Sequence, residues 1–517
     1  MLKRIAKAFI AFLFGQVLGF AANILIVPLY LHVWSPAQYG EWLTLYSAVA
    51  YLSTLDMGVQ TYVVNRLTQA YARGDMDEYA SVQHTAFAFY AALGAIAGCV
   101  VVAVVFFAPV QHWFSFAFTT HRVIVIVVAL LAFQYLAQLP GTILISVYRT
   151  TGNLAISSWL ANLMRMLILV FTVLALVLKP SFVTVAAAQA SAFVIVLAVT
   201  FWHVRRRFPS LVPSFKKARW ELVGSILKPS MLFGAIILST ALVLQGASLL
   251  VAGALGAAAV ALFVTTRTLA NSMRQLVNLL ANAAWTDLTR LEALDDRRRL
   301  SMALRFLVFT SAAGCLAISA SLWFEGSSVI LFWTRGKLAP DPTLLHWFLI
   351  YLALQTPWMT ASQIPCATNQ HRLTSIAYLV SAITGLSSAT LLVRHFGLIG
   401  VPMGLIVGES LACYHFVLRD GCRVAGQPYG RFAARLWAGM FLIGAFAATA
   451  TWGVHHLAVS MTLRWIISGT VSSTVVAVGL WFVWLGSDDR QFVTTKLSLI
   501  MRRLKRKQAI PAPATGL

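Results

Sequence analysis

The sequence contains little charge and little acid. Only 11% of its 517 residues are charged, and 16 Asp and Glu stand against 39 Lys and Arg. It has five cysteines, with no close pair of the kind that ligates a metal, so we expect neither a disulfide framework nor a metal site. A chain that is 59% hydrophobic cannot bury its apolar surface in water. The composition therefore excludes a soluble globular protein and indicates a polytopic membrane protein.

The apolar residues form long runs that are separated by short polar segments. A membrane-spanning helix needs about 20 apolar residues, and the runs reach this length without the period-two alternation of a β-barrel. The pattern predicts an all-α protein with about 14 transmembrane helices. The second is predicted at 41–63 and the eighth at 256–282, and the longest outer loop at about 325–342.

The net charge of +23 first suggests a nucleic-acid partner, but the positions of the charges exclude one. Most basic residues fall on alternate loops and on the two tails. By the positive-inside rule, this asymmetry places both termini in the cytoplasm of an inner-membrane protein. Short basic loops between spans are expected to contact the anionic headgroups of membrane lipids.

The longest inner connection before the tail is a basic linker at 203–222, which follows six predicted spans. We expect it to join two six-helix lobes, at 1–202 and 223–418. Two additional spans within 419–485 and a basic amphipathic tail at 486–517, lying on the inner leaflet, complete the predicted plan. Where lobes repeat in transporters, the substrate site lies between them near the membrane midplane.

One predicted helix carries a polar face within an apolar run. Arg267, Asn271, Arg274, Asn278 and Asn282 are spaced so that all five share one helical face. An arginine near the bilayer midplane costs roughly 2.5–3.5 kcal/mol on insertion scales. The face is therefore predicted to line a water-filled cavity. Guanidinium groups bind phosphate oxygens through paired hydrogen bonds, so the expected ligand is anionic.

Three further groups extend this hypothesis. Asn162 and Arg165 share a polar face of the fifth span and are predicted to line the same cavity. Arg274 lies deep enough to face either the cavity or the cytoplasm. Asp56 and Glu409 are candidate coupling or gating acids. The alternatives are that Asp56 forms a structural pair with an arginine, and that Glu409, beside a ladder of glycines, is only an interhelical hydrogen-bond partner.

No motif indicates catalysis. The sequence lacks an ATPase phosphate loop, a nucleophile elbow and a zinc-binding His pair. We therefore predict no enzyme activity, no catalytic residue and no cofactor. A polysaccharide polymerase or ligase, the rival from another class, would need a larger catalytic loop outside the membrane.

Five short motifs occur in a fixed order between about residues 35 and 410. They are Pro-x-x-Tyr-Gly at 36–40, Leu-Asp-x-Gly at 55–58, a segment from 256 that reaches Arg267-Thr268-Leu269, Trp-Thr-x-Gly-Lys at 333–337 and Gly-Leu-x-Gly at 397–400. In these motifs the chain resembles bacterial polysaccharide flippases of the Wzx type. They belong to the multidrug/oligosaccharidyl-lipid/polysaccharide exporter superfamily. The resemblance implies two six-helix lobes around a central cavity and two C-terminal helices.

The resemblance also implies a function. Such proteins move an undecaprenyl-diphosphate-linked oligosaccharide (an O-antigen, capsule or exopolysaccharide unit) from the inner to the outer leaflet by alternating access. It further implies an H+ or Na+ gradient as the energy source, and the polymerase and other polysaccharide assembly proteins as candidate partners. Asp56 and Arg267 fall on motif positions, whereas the other candidates rest on periodicity alone.

Two alternatives remain within the same superfamily. A cation-coupled drug exporter would need an acidic cavity, which the predicted basic one does not provide. A peptidoglycan-precursor flippase would carry a similar lipid diphosphate, and it would be essential for growth.

Overall fold

The computed structural model describes residues 2–114, 116–271, 288, 291, 294–368, 370–487, 489–491 and 494. In this part of the chain the regular structure is α-helical, with short 3₁₀ and π segments and no strand. Ten helices within it are long and apolar enough to cross a membrane. The prediction of an all-α, multi-pass membrane protein is confirmed, whereas the inner membrane and the cytoplasmic termini stay predictions.

The first half of the chain forms ten helices. They are α1 Leu2–Val33, α2 Pro36–Ala50, α3 Val59–Arg73, α4 Met76–Phe107, α5 Val110–Trp113, α6 His121–Thr150, α7 Leu154–Leu178, α8 Phe182–Arg207, α9 Leu222–Ala241 and α10 Ala247–Leu255. A 3₁₀ segment, Tyr51–Asp56, follows α2, and a π-helical turn, Leu242–Gly246, joins α9 to α10.

Nine further helices follow. They are α11 over 257–271, α12 Arg297–Trp333, α13 Pro342–Ala361, α14 Gln363–Ala367, α15 Arg372–Phe396, α16 Gly400–Ala412, α17 Phe416–Ala425, α18 Tyr429–His455 and α19 Met461–Gly479. Arg274, Asn278 and Asn282 of the predicted polar face lie outside the described residues, as does most of the predicted tail.

The chain folds into two compact units. The first contains Met1–Gln275, Ser327–Tyr351 and Arg372–Tyr414. The second contains Leu276–Gly326, Leu352–His371 and His415–Leu517. The expected division into two six-helix lobes stays a prediction.

In the first unit, α15 and α16 pack closely, because α16 carries glycines where the two backbones meet. A Cβ added to Gly404 would lie 2.2 Å from the backbone nitrogen of Ala389, and one added to Gly400 would lie 2.5 Å from the carbonyl carbon of Leu392. The close-packing face inferred from the glycine spacing is therefore confirmed. Glu409, on the same helix, is buried.

The start of α2 shows why its sequence reads Pro-x-x-Tyr-Gly. Ser35 caps the helix through a capping box with Gln38. Tyr39 is buried and stacks on Tyr30, with ring centroids 5.4 Å apart. Gly40 touches the α11 backbone, since an added Cβ would lie 1.6 Å from the carbonyl oxygen of Ala257. The residues of this motif therefore have a structural role.

The basic linker is held against α4 and does not hang free. Gln83 donates to the carbonyl oxygen of Leu211 at 2.9 Å, and the Ser214 N–H donates to Nδ1 of His84 at 2.7 Å. Arg205, Arg206, Arg207, Lys216, Lys217 and Arg219 are exposed on it.

Helix α12 extends into the predicted outer loop. The outer loop expected from about 325 is wrong in its first part, because the helix continues to Trp333. The physical reason is Glu325, which is buried, forms an ion pair with Arg464 at 3.0 Å and is hydrogen-bonded to His455 at 2.8 Å. Glu325, which the sequence analysis placed at the start of a loop, is thus a buried side chain that contacts residues of α18 and α19.

Candidate functional site

Arg267 lies deep in an apolar helix. It is ten residues into α11, which corresponds to about 15 Å of helix, or half the thickness of a typical hydrocarbon core. Its neighbours on either side include Phe263 and Leu269, both buried. Measured along α11, Arg267 therefore lies as far from the start of its helix as the sequence predicts.

The hydrogen-bond partners of Arg267 come from the π-helical turn between α9 and α10 and from the first turn of α10. A π turn breaks the regular hydrogen-bond ladder and is common at functional sites. Nη1 of Arg267 donates to the carbonyl oxygen of Leu244 at 2.6 Å, and Nη2 donates to Oγ of Ser248 at 3.0 Å. The guanidinium also lies over the ring of Phe263, 5.2 Å from its centroid. Every one of these contacts is with a neutral group.

No carboxylate among the described residues forms an ion pair with Arg267 or with Arg165. The positive charge of Arg267 is therefore oriented by its neighbours and is not neutralised by them. Asn271 follows one turn later on the same face and is half-buried. Arg274, the next residue of this face, lies outside the described residues.

Asn162 and Arg165 join α7 to α1. The side-chain amide of Asn162, which is buried, donates to the carbonyl oxygen of Ala11 at 2.7 Å. Arg165 is exposed and makes longer bonds, at 3.3 Å to the carbonyl oxygen of Gly15 and at 3.5 Å to Oδ1 of Asn162. The structure thus brings these two candidates together. Asn162 is occupied by a helix–helix contact, whereas Arg165 keeps an exposed guanidinium.

Asp56 lies where the second predicted span breaks. The span expected over 41–63 is interrupted, because Met57 and Gly58 have positive φ angles of 46° and 72°. Oδ1 of Asp56 accepts hydrogen bonds from the Tyr90 hydroxyl and from the Gln60 N–H. Tyr90 is fully buried. No local sequence pattern indicates this tyrosine partner, because Tyr90 lies 34 residues further along the chain.

Glu41, a buried acid, was missed because it begins a predicted span. Its carboxylate accepts from the N–H groups of Ala117 and Phe118 and from the hydroxyl of Thr119. The three donors belong to the segment before α6. Glu41 therefore fixes a loop and is not available for a ligand.

Comparison with solved structures places this fold among membrane transporters. A structure titled Lipid II flippase MurJ, inward closed conformation, matches with a TM-score of 0.67 at 12% identity, covering 91% of this chain and 97% of that one. An inward-facing multidrug resistance MATE family transporter of the MOP superfamily matches with a TM-score of 0.67 at 15% identity, covering 82% and 98%. A MOP superfamily transporter from Pyrococcus furiosus, whose title reports a binding pocket of reverse polarity, has a TM-score of 0.60 at 15% identity.

No family profile matches the sequence, and no curated protein matches it. At these identities, structural similarity establishes the fold and nothing finer. The chain therefore has the fold that these flippase and transporter structures share.

Proposed function

We propose that this protein translocates an oligosaccharide linked to undecaprenyl diphosphate from the inner to the outer leaflet of the bacterial inner membrane, as Wzx-type flippases do. One observation carries the proposal. Arg267 lies ten residues into α11, part of the predicted eighth span, and is held by a carbonyl, a hydroxyl and an aromatic ring, with no described carboxylate paired to it. A charge kept at such a depth needs an anionic partner that comes and goes.

A diphosphate fits that requirement. Guanidinium stays ionised at every accessible pH and forms charge-assisted hydrogen bonds with phosphate oxygens. In a site of low dielectric constant these bonds are stronger than in water, which offsets the cost of removing the diphosphate from the membrane surface. Asn271 adds a neutral donor on the same face, and the exposed Arg165 is assigned to the sugar or to the diphosphate on its path.

The two candidate acids have different surroundings. Asp56 accepts hydrogen bonds at the break between α2 and α3, so a change in its charge would alter the connection between these two helices. We assign it the coupling or gating role, with an H+ or Na+ gradient as the energy source. Glu409 lies buried on the close-packed α16, and its assignment as a second coupling acid is the weaker of the two.

The flippase structure matches a longer part of this chain than the drug-transporter structure does. The flippase structure covers 91% of this chain and the drug transporter covers 82%, a difference of about 47 residues. That is about the length of two membrane helices. A cationic drug would be repelled by Arg267. Overexpression is accordingly expected to leave drug resistance unchanged, and purified protein is expected to show no glycan turnover.

Complementation of a flippase-deficient strain tests the role of Arg267. Arg267→Gln keeps a side-chain donor for the Leu244 carbonyl but removes the charge, so we expect the protein to remain in the membrane and surface polysaccharide to be lost. Arg267→Lys keeps the charge and should retain part of the activity. Arg394→Ala, which removes an exposed arginine, is the matched control. Normal polymer with Arg267→Gln would defeat the proposal.

A peptidoglycan-precursor flippase is the second candidate, and the extent of the match to the lipid II flippase favours it. Both cargoes join a saccharide to a lipid diphosphate, so Arg267 would serve either. Depletion separates them. Loss of surface polysaccharide with normal growth supports the first candidate, and arrest of growth with lysis supports the second.

A further inference from the structure

The first unit contains an apolar cavity of about 470 Å³ that the assignment of Arg267 does not use. Its described walls come from α1, α11 and the last turns of α12, and they include Leu25, Pro28, Leu269 and Phe332. It opens to the surface, where Leu25 is 51% exposed and Phe332 is 62% exposed. An apolar recess of this size, open towards the membrane, suits a lipid chain and not a water-soluble ligand.

One wall is fixed by a hydrogen bond between helices. The indole Nε1 of Trp333, the last residue of α12, donates to the carbonyl oxygen of Ile24 in α1 at 2.6 Å. Both residues also line the cavity. The recess is therefore formed before any ligand arrives.

The charged group of the described lining is Arg335, at one end of the cavity. Arg335 and Gly336 have positive φ angles of 52° and 72°, and the Gly336 N–H donates to the carbonyl oxygen of Leu331 at 2.8 Å. This turn ends α12 and directs the chain so that Arg335 lines the recess. Arg335 forms no ion pair or side-chain hydrogen bond with the described residues. An apolar recess that ends in a free guanidinium matches a lipid that carries a phosphate.

The position of Leu269 shows which phosphate lipid fits. Leu269 lines the cavity, and Arg267 lies two residues earlier on the same helix, so the two side chains point to different faces. Helix α11 therefore presents a polar face on one side and the apolar recess on another. A lipid-linked saccharide has a polar head that suits the polar face of this helix and an apolar tail that suits the recess. A bulk phospholipid would use only the recess.

We propose that the recess is an exit subsite for the polyprenyl carrier, with the chain near the phosphate lying against Leu25 and Leu269 and the phosphate bound by Arg335. In the predicted orientation the recess lies on the outer half of the membrane. This inference rests on the proposed function, because it takes the carrier lipid from it. It assigns a second phosphate ligand, distinct from Arg267, to the end of the path.

Site-specific photocrosslinking tests the subsite without requiring transport. The photoreactive residue p-benzoylphenylalanine replaces Leu25, and in the control it replaces Val17, which lies on the same helix, is 60% exposed and does not line the recess. The full-length protein is placed in phosphatidylcholine nanodiscs with undecaprenyl monophosphate, and the adduct is measured by mass spectrometry. We expect an adduct at position 25 and little at position 17.

Variants of the cation then identify the phosphate contact. Arg335→Gln should lower the adduct at position 25 about tenfold, as expected for loss of a charge-assisted hydrogen bond. Arg335→Lys should retain most of the adduct. Lys337→Gln, which removes a neighbouring exposed cation, should change nothing. An unchanged adduct with Arg335→Gln, or equal adducts at positions 25 and 17, would overturn the inference.

Competition separates the carrier from ordinary lipid. Excess phosphatidylglycerol should leave most of the adduct at position 25, and its complete displacement would identify a general phospholipid site and overturn the assignment. The crosslinking result and the complementation test of Arg267 can also fail independently of each other. Loss of surface polysaccharide with Arg267→Gln but no adduct at position 25 would remove this subsite alone. Normal polymer with a persistent adduct would remove the proposed function alone.

Discussion

At the scale of single residues, the contact between α1 and α7 depends on the space around one glycine. A Cβ added to Gly15 would lie 2.3 Å from Oδ1 of Asn162 and 3.0 Å from Nη1 of Arg165. One added to Gly19, a single turn away, would meet no atom within 4 Å. Of these two glycines on α1, Gly15 therefore approaches the described side chains of α7 closely and Gly19 does not.

These two glycines form a matched pair for mutation. Gly15→Ala should displace the Asn162 amide from its bond to Ala11 and destabilise the protein by about 1–3 kcal/mol, as overpacking does. Gly19→Ala should be neutral or slightly stabilising, because alanine favours the helix. Thermal unfolding of the detergent-solubilised variants measures the difference. Equal unfolding temperatures for both variants would contradict the contact.

At the scale of elements, the break between α2 and α3 depends on backbone conformation and on packing against α9 together. Gly58 has a φ angle of 72°, and a Cβ there would lie 2.6 Å from Cβ of Phe233 and 2.9 Å from the carbonyl oxygen of Ser230. Gly74 has a nearly equal φ angle of 75°, but nothing lies within 4 Å of its added Cβ. An alanine at either position would have to adopt a left-handed backbone conformation, but only at Gly58 would its Cβ also clash with a neighbouring helix.

Comparing Gly58→Ala with Gly74→Ala therefore separates the energetic cost of packing at the break from the cost of the backbone conformation. Gly74→Ala should cost about 1–2 kcal/mol, the penalty of a left-handed conformation alone. Gly58→Ala should cost clearly more and should also lower transport, since it pushes the Asp56 segment away from α9. Unfolding temperature and complementation measure both effects. A Gly58→Ala protein as stable and active as Gly74→Ala would show that α9 does not restrain the break.

A second element-scale contact is the set of ion pairs at the end of α12. Replacing Glu325 by Ala leaves Arg464 and His455 without their buried carboxylate, and removing one partner of a buried pair typically costs about 3–5 kcal/mol. Asp341→Ala, which removes the acid next to the start of α13, should cost much less. Unfolding of the purified variants measures both. Similar losses would show that the Glu325 pairs contribute little.

At the scale of the whole molecule, the properties that the sequence could predict are local ones. Apolar runs and helical periodicity depend on neighbouring residues, so the membrane helices and the depth of Arg267 were predictable. The contacts of Arg267 were not, because its partner Leu244 belongs to a π turn that no local pattern indicates and its partner Ser248 lies in the separate helix α10. The Tyr90 partner of Asp56 and the helical continuation through Glu325 were missed for the same reason, since each depends on a distant element.

The proposed alternating access requires some contacts in the first unit to break and re-form. Two candidate contacts join the start of α2 to the start of α11 and the middle of α1 to the end of α12. Gly40 touches the carbonyl oxygen of Ala257, and Trp333 donates to the carbonyl oxygen of Ile24. In the predicted orientation both lie at the outer side. In the proposed mechanism, their formation closes this end of the unit, and release of cargo outward requires them to separate.

The Gly40 contact can be weakened by one methyl group. In a Cys99→Ser background, Ala257→Cys reports opening through labelling by a membrane-impermeant maleimide, because residue 257 is 9% exposed while the contact is formed. Gly40→Ala places a Cβ on the Ala257 carbonyl, so the contact cannot close and labelling should rise several-fold. Trp333→Phe removes the indole donor without adding volume and should raise labelling less. Gly453→Ala, where an added Cβ meets no atom within 4 Å, should leave it unchanged. If Gly40→Ala labels no faster than Gly453→Ala, this contact does not keep the outer end closed.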